Sequence, residues 1–484
     1  MKRLPDDTIA AISTPPGEGG IGIVRLSGPA AVSIADSFFS SPHGTRLSGV
    51  RSHTIHHGFI IDPRDDRRID EVLVSVMRAP GTYTREDVVE INCHGGTLPV
   101  QRTLRLVLAA GARLADPGEF TKRAFLNGRL DLSQAEAVID LIRAKTDQAE
   151  RLAMQQLEGR LSERITVLRE ALLDLCAHVE AYIDFPEDEV PDLVQTELAM
   201  SCMRLARELG SLSRQYDEGR LYREGAAAAI VGKPNVGKSS LLNAMLDSDR
   251  AIVTEIPGTT RDVIEEYLNI RGIPLRIMDT AGIRETHDLA EQEGVRRSLR
   301  AIEGADIVIA VLDGSRQPDS ADRELIGRIS GKKALLVINK SDMLDPGFEL
   351  AVVGVSAPEG IVPGLFPVRF ADGSSTQGVA VSAKDGSNIE VLKDCVKALL
   401  LPDETGVGGT SRDDLLVTNI RHKQALDNAA GALERAHASI RAAEPQELTA
   451  LSLREALDAI GEIIGVVSSD DILDRIFSQF CIGK

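Results

Sequence analysis

At 484 residues the chain is too long for one ordinary domain, and with 43% apolar residues it can bury several cores. A formal net charge of −18 excludes a broad nucleic-acid-binding face, because such a surface repels phosphate backbones at long range. Aromatic residues at 3%, with no tryptophan, also exclude stacking platforms as the main way of holding single-stranded nucleic acid.

The first element of note is the N-terminal "MKRLPDDTIA". Acids and a proline interrupt any apolar region behind its basic residues, so no signal peptide is expected. No apolar run reaches the roughly 18 residues of a membrane span. Cys93, Cys176, Cys202, Cys395 and Cys481 are scattered and lack metal-ligand spacing, which reads as reduced thiols in a cytosolic protein. The terminal "CIGK" is no prenylation box, since Gly483 is not aliphatic and Lys484 is the wrong last residue.

Residues 1–127 alternate short β-like runs ("GIGIVRLSG", "DEVLVSVMRA", "EDVVEINCHGG") with turns and one helical pattern, as in a compact α+β domain. The period then changes. Leu161, Ile165, Leu168, Leu172 and Leu175 step by four, three, four and three, the apolar stripe of an amphipathic helix. Over residues 128–222 this helical reading holds, broken at "IDFPEDEVP".

Residues 223–400 repeat strand, loop and helix, and the near-continuous apolar runs suit buried parallel strands. Helices resume over residues 401–484. Helical sequence on both sides predicts that the α/β unit is inserted into one helical domain, the alternative being four domains in series. Between "NKSD" and "SAK" the stretch Leu350 to Gly378 is longer than that connection requires and reads as a surface elaboration.

"GKPNVGKSS" begins at Gly232, between a strand and a helix, and satisfies G-x-x-x-x-G-K-[ST]. Gly232 and Gly237 let backbone N–H groups face phosphates, with Asn235, Val236 and Ser240 in the same cradle. Lys238 reaches the β and γ oxygens, and Ser239 offers a hydroxyl to Mg²⁺. "DTAG" (Asp279, Thr280, Ala281, Gly282) follows a strand and suits the metal and the γ-phosphate. "NKSD" (Asn339, Lys340, Ser341, Asp342) and "SAK" (Ser382, Ala383, Lys384) end two further strands. Asp342 suits guanine N1–H and its amine, Asn339 suits N7, the Lys340 stem covers the ring, and the Ala383 N–H suits O6. Adenine would leave the Asp342 carboxylate without its donors. Four motifs in this order predict a GTP-binding domain.

The first switch is read in "TEIPGTTRD", spanning Thr254, Glu255, Ile256, Pro257, Gly258, Thr259 and Thr260, with Thr260 or Thr259 as a second Mg²⁺ ligand. In the second switch Ile283 stands where Ras-like proteins carry the glutamine that orients water. A carboxylate among Asp288, Glu291 and Glu293 is the replacement that chemistry allows, and no arginine finger is evident.

"TPPGEGGIGIVRLSG", "DPGEFTKRAFLNGRLDLSQAEAV", "GKPNVGKSSLLNAML", "GTTRD", "DTAGIRE" and "FSQFCIGK" resemble the tRNA-modifying GTPases called MnmE or TrmE, nearly over the full length. The resemblance implies a multidomain fold: an N-terminal α+β folate-binding-like domain, a discontinuous all-α domain and an inserted Ras-like P-loop α/β G domain. It implies a K⁺ held by Asn235, Thr254, Ile256 and Thr259, a positive charge where an arginine finger would act. Glu291 becomes the water-orienting residue.

The resemblance also implies a 5-formyltetrahydrofolate or methylene-tetrahydrofolate site at Arg25, Glu90, Arg129 and Lys484. Some relatives have lysine at the Arg129 position, a change that keeps charge but not geometry. Cys481 becomes a candidate for catalysis there, against the plainer reading of a small filler, while His94 reads as structural. The implied assembly is a homodimer joined to two subunits of an FAD-dependent partner, MnmG or GidA. That complex modifies C5 of the wobble uridine, with tRNA held mainly by the partner and no membrane involved. The rival expectation, a ribosome-assembly GTPase, would carry a basic RNA-binding module that neither flank supplies.

Overall fold

The computed structural model describes residues 7–184, 192–247, 267–278, 300–357, 364–402, 417–467 and 469–484. The N-terminal strands are β1 (Ile9–Ile12), β2 (Ile21–Ser27), β3 (Phe39–Ser40), β4 (Thr54–Asp62), β5 (Arg67–Met77), β6 (Val88–His94) and β7 (Arg113–Leu114). They form one sheet in the order β3-β4-β5-β6-β2-β1-β7. Alternation along β5 sends Val72, Val74 and Val76 inward, under α1 (Ala31–Asp36) and α2 (Thr97–Ala109), and leaves Leu73 outside. The opposite face of the sheet carries exposed Ile21, Ile55 and Leu73. Behind β7, α3 (Glu119–Leu126) buries Arg123, whose guanidinium bonds Asp7, Glu86 and Glu119.

The helical part begins with α4 (Leu132–Arg143), started by a reciprocal capping box between Asp131 and Gln134, and α5 (Asp147–Leu157). Then come α6 (Arg160–Asp184), α7 (Asp192–Arg214) and α8 (Tyr216–Glu224). The stripe from Leu161 to Leu175 is buried along α6, as its spacing requires. It packs with Leu205 and Leu209 of α7 and with residues from far beyond the α/β unit. These are Leu426 and Leu433 of α12 (Ile420–Arg441) and Leu453 and Ile460 of α13 (Gln446–Ile464). Sequence before and after the α/β unit therefore shares one core, which makes that unit an insertion.

The inserted unit contains β8 (Ala226–Val231), α9 (Lys238–Asp247), β9 (Tyr267–Ile270), β10 (Ile273–Met278), β11 (Ile307–Asp313), α10 (Ser320–Ile329) and β12 (Ala334–Asn339). β13 (Val355–Ser356), β14 (Gly364–Phe370), β15 (Ser375–Ala380) and α11 (Ile389–Leu400) complete it. The sheet order is β13-β14-β15-β12-β11-β8-β10-β9, and β10-β8-β11-β12-β15 run parallel. Every residue of β8, β11 and β12 is buried, as expected for central parallel strands covered on both faces.

The reading of Leu350 to Gly378 as a surface elaboration is corrected. β14 pairs antiparallel with β15 and extends the sheet, and Phe366, Val368 and Phe370 enter the core. In "LFPVRF" the large apolar residues Phe366, Val368 and Phe370 recur at every second position, the signal for that strand.

The inserted unit docks on the helices at a specific seam. Thr146 Oγ1 donates to Gly272 O at 2.8 Å, Lys145 Nζ lies 3.1 Å from the Tyr267 ring centroid, and Leu152, Leu221 and Tyr222 join its core. The last helix, α14 (Asp470–Phe477), packs Leu473 and Phe477 against Leu132 and Ile139 of α4. Among the described residues no helix is long and apolar enough to cross a membrane.

Candidate nucleotide site and C-terminal pocket

The phosphate cradle forms because the chain leaving β8 turns through positive-φ conformations that glycine adopts without penalty. Gly232, Asn235 and Gly237 have φ of 159°, 63° and 92°. A Cβ on Gly237 would collide with Asn339 Nδ2, so both its backbone angle and its surroundings require glycine. α9 starts at Lys238, aiming its first N–H groups at the cradle. Lys238 Nζ donates to Gly232 O and Lys233 O, both at 2.8 Å. Among the described residues it pairs with no carboxylate, and burial pulls its ammonium below the ordinary lysine range. A half-buried cation that, among the described residues, is held by carbonyl dipoles alone is poised to accept an anion. Ser239 and Ser240 follow on the first turn of α9.

The base end is built from the ends of β12 and β15. Asn339 is buried, gives Nδ2 to Val236 O at 2.9 Å and takes the Ala383 N–H at 3.1 Å. It thus joins the phosphate loop to the "SAK" loop. Lys340 bonds Asn235 O at 3.1 Å, gripping the next carbonyl of the same loop. Asp342 is exposed on the short turn Ser341–Met343, whose Ser341 N–H is fixed by Val381 O. Ser382 is buried and its Oγ accepts the Asp385 N–H, while Lys384 stays exposed. The three described motifs are therefore gathered at one edge of the parallel sheet, where strand ends meet helix starts.

Asp313 does not stand out in the sequence, where "VLDG" reads only as a strand end. Its Oδ2 lies 2.7 Å from Lys340 Nζ. An acid at the C-terminal end of a strand beside "NK" was the available signal. Thr254, Glu255, Ile256, Pro257, Gly258, Thr259, Thr260, Asp279, Thr280, Ala281, Gly282, Ile283, Asp288, Glu291 and Glu293 lie outside the described residues.

A second cluster lies on the outer face of the N-terminal sheet. Register pairs Arg25 with Glu90 across β2 and β6, and Arg25 Nε reaches Glu90 Oε1 at 2.8 Å. The C-terminus returns to this pair: Arg25 NH1 donates to Gly483 O at 3.3 Å. Gly483, at φ 95°, sits so close to Ile12 O that no side chain fits. Burial, helped by the nearby Arg25 charge, pulls the Lys484 pKa below its usual range.

Arg129 lies 4.8 Å over the Tyr83 ring, and Tyr83 OH lies 2.9 Å from Thr121 Oγ1. Burial raises the Tyr83 phenol while Arg129 and Arg25 pull the other way. Arg25, Glu90, Arg129 and Lys484 are thus brought to one place from four distant stretches. Phe120, 5.7 Å under Arg25, and Tyr83 are the members that sequence reading missed. Cys481 is an exposed free thiol beside this cluster. His94 Nδ1 lies 2.6 Å from Asp70 Oδ1, which raises its pKa and ties it to β5.

Comparison with known proteins finds family models over most of the chain. The family described as the MnmE helical domain matches residues 132–481, and GTP-binding protein TrmE N-terminus matches residues 8–129. The tRNA modification GTPase MnmE of Geobacillus kaustophilus is 50% identical over 479 residues, 99% of this chain and 99% of that protein. Those of Carboxydothermus hydrogenoformans and Bacillus subtilis are 48% and 46% identical over 99% of this chain, covering 100% of each of those proteins. Among solved structures, the FeoB G domain of Methanococcus jannaschii aligns with 36% of this chain and 97% of its own, at 22% identity and a TM-score of 0.23. The chain belongs to the MnmE family of tRNA modification GTPases, and GTP binding and hydrolysis are its activity.

Proposed function

We propose that GTP hydrolysis by this protein drives modification at C5 of the wobble uridine of certain tRNAs, carried out with an FAD-dependent partner of the MnmG type. The product is an aminomethyl or carboxymethylaminomethyl group whose one-carbon unit comes from a tetrahydrofolate. The observation that carries this reading is the return of Gly483 and Lys484 to Arg25 and Glu90. Glu90 suits the ring N–H and amine donors of a pterin, and Tyr83 and Phe120 supply aromatic faces. Arg25, Arg129 and Lys484 suit the anionic tail of 5-formyltetrahydrofolate or methylene-tetrahydrofolate. Folates carry those same three chemistries in one molecule. Cys481, exposed beside the cluster, is available for chemistry there.

At the nucleotide, Lys238 would take the β and γ oxygens, and Ser239 with Thr260 would hold Mg²⁺. The Lys238 ammonium, held by two loop carbonyls, and the crowded Gly237 fit a closely held phosphate. Mg²⁺ bound there would supply charge neutralisation at the phosphates. Asn235, exposed and left-handed, with Thr254, Ile256 and Thr259, would hold K⁺, which would supply a positive charge near the phosphates. Glu291 then orients the water that Ile283 cannot.

Two copies associate through the outer sheet face bearing Ile21, Ile55 and Leu73, and two partner subunits join them. With a net charge of −18, this chain leaves most tRNA contacts to the partner. A cytoplasmic setting suits five free thiols. Calorimetry with 5-formyltetrahydrofolate tests the reading. Binding by the full-length chain that Arg25→Ala abolishes is expected, and a wild-type protein that binds no folate would overturn it.

A further inference from the structure

Asp313 closes β11 and stands opposite Asn339 in the register of β11 and β12. Its carboxylate is buried, a position that desolvation opposes unless every oxygen is answered. Both oxygens are answered. Oδ1 accepts the Ser315 N–H at 3.0 Å and the Ser315 hydroxyl at 2.6 Å, and Oδ2 faces Lys340 Nζ at 2.7 Å. The same Nζ donates to Asn235 O at 3.1 Å.

Lys340 and Asn235 both have φ of 63°, a left-handed conformation that non-glycine residues hold only when their surroundings fix it. A lysine stem is flexible by itself. Anchored at its head by a buried carboxylate, it becomes a strut between the base end and the phosphate loop.

We propose that Asp313 is a positioning residue of the nucleotide site, acting through Lys340 to hold the Asn235 carbonyl, and so the turn of the phosphate loop, in its receiving shape. Asp313 does not itself touch nucleotide. Asn339 and Lys340 then share one task on successive loop carbonyls, Val236 O and Asn235 O, and Asp313 supplies the charge that directs the second of them.

The test is release of mant-labelled GDP from the full-length protein carrying Asp313→Asn, Lys340→Ala or both. Removing one charge-assisted bond should speed release roughly tenfold or more in Asp313→Asn, with the melting temperature of nucleotide-free protein little changed. The double variant should release no faster than Lys340→Ala alone, because both changes remove the same strut. Unchanged release in Asp313→Asn, or two effects that multiply, would overturn the proposal. Should Asp313→Asn fold poorly, Lys340→Met removes the strut from its other end, and wild-type release there is equally fatal.

A second arm rests on the potassium reading above. If wild-type turnover is faster in KCl than in NaCl, the K⁺ concentration for half-maximal turnover should rise in Asp313→Asn; an unmoved value removes Asn235 from the proposal. Equal wild-type rates in the two salts sink the potassium reading and leave the GDP-release arm to decide.

Discussion

Glu136 and Arg421 are 285 residues apart in sequence and meet through two parallel hydrogen bonds, Nε to Oε1 at 2.9 Å and NH2 to Oε2 at 2.8 Å. His422 Nε2 lies 2.7 Å from the same carboxylate. One turn along α4, Asp140 faces Arg223 Nε at 2.8 Å. Arg223 precedes the inserted G domain and Arg421 opens the helix after it. A single face of α4 therefore holds the chain where it enters and where it leaves the insertion. The same helix packs on α14, and Arg143 donates to Gln479 O near the C-terminal tail. The base of the insertion and the C-terminal tail thus share one support in α4.

Glu136→Ala should destabilise the protein by about 3–5 kcal/mol, since it takes the shared carboxylate from partly buried Arg421 and fully buried His422. Urea unfolding followed by far-UV circular dichroism checks this. A change below roughly 1 kcal/mol would mean the pair is dispensable.

The same pair sets an acid limit. Burial opposes ionisation of Glu136, but His422 and Arg421 outweigh it and hold the carboxyl at about 2, below its usual 4.5. Burial lowers the His422 pKa against the opposing pull of Glu136, while Arg421 stays charged throughout. A depressed carboxylate pKa stabilises the fold fully above about 4.5, and the contribution fades as pH falls toward 2. Urea midpoints measured from pH 7 down to pH 3 should fall less steeply below pH 4.5 in Glu136→Gln than in the wild type, because the variant has no such proton to take up.

Gly237→Ala should lower GTP affinity at least ~100-fold, because the new methyl meets Asn339 and the backbone stands at φ 92°. Equilibrium binding of a fluorescent GTP analogue measures it, and wild-type affinity would show that the loop has room to shift.

Phe366→Ala should destabilise the G domain by about 3 kcal/mol, since its ring is buried under the edge hairpin. Leu365→Ala, one residue away on the exposed side of β14, should change stability by less than ~0.5 kcal/mol. Thermal melting of the two variants distinguishes a core strand from a surface ornament.

If the folate reading holds, removing Gly483 and Lys484 should abolish 5-formyltetrahydrofolate binding while leaving GTP turnover within about twofold, as the tail contacts the N-terminal sheet and shares no partner with the phosphate loop among the described residues. Parallel folate calorimetry and phosphate-release assays check both halves.

Much of this protein is fixed by local chemistry. The phosphate loop needs glycine where φ is positive, "NKSD" and "SAK" need strand ends, and the stripe from Leu161 to Leu175 can only be one face of a helix. Each signal lies within a few residues, so it survives in one dimension, and a full-length resemblance supplies the rest of the family's plan. The stretch from Leu350 to Gly378 looks dispensable in one dimension because an edge strand declares itself by its partner, and β15 decides whether Phe366 points into a core. The contacts that tertiary structure alone decides span hundreds of residues or link separate strands: Glu136 with Arg421, Arg25 with Gly483, Asp313 with Lys340. Each sets a charged group into a low-dielectric place where only the correct partner offsets desolvation, and that partner is named by how the chain folds back on itself.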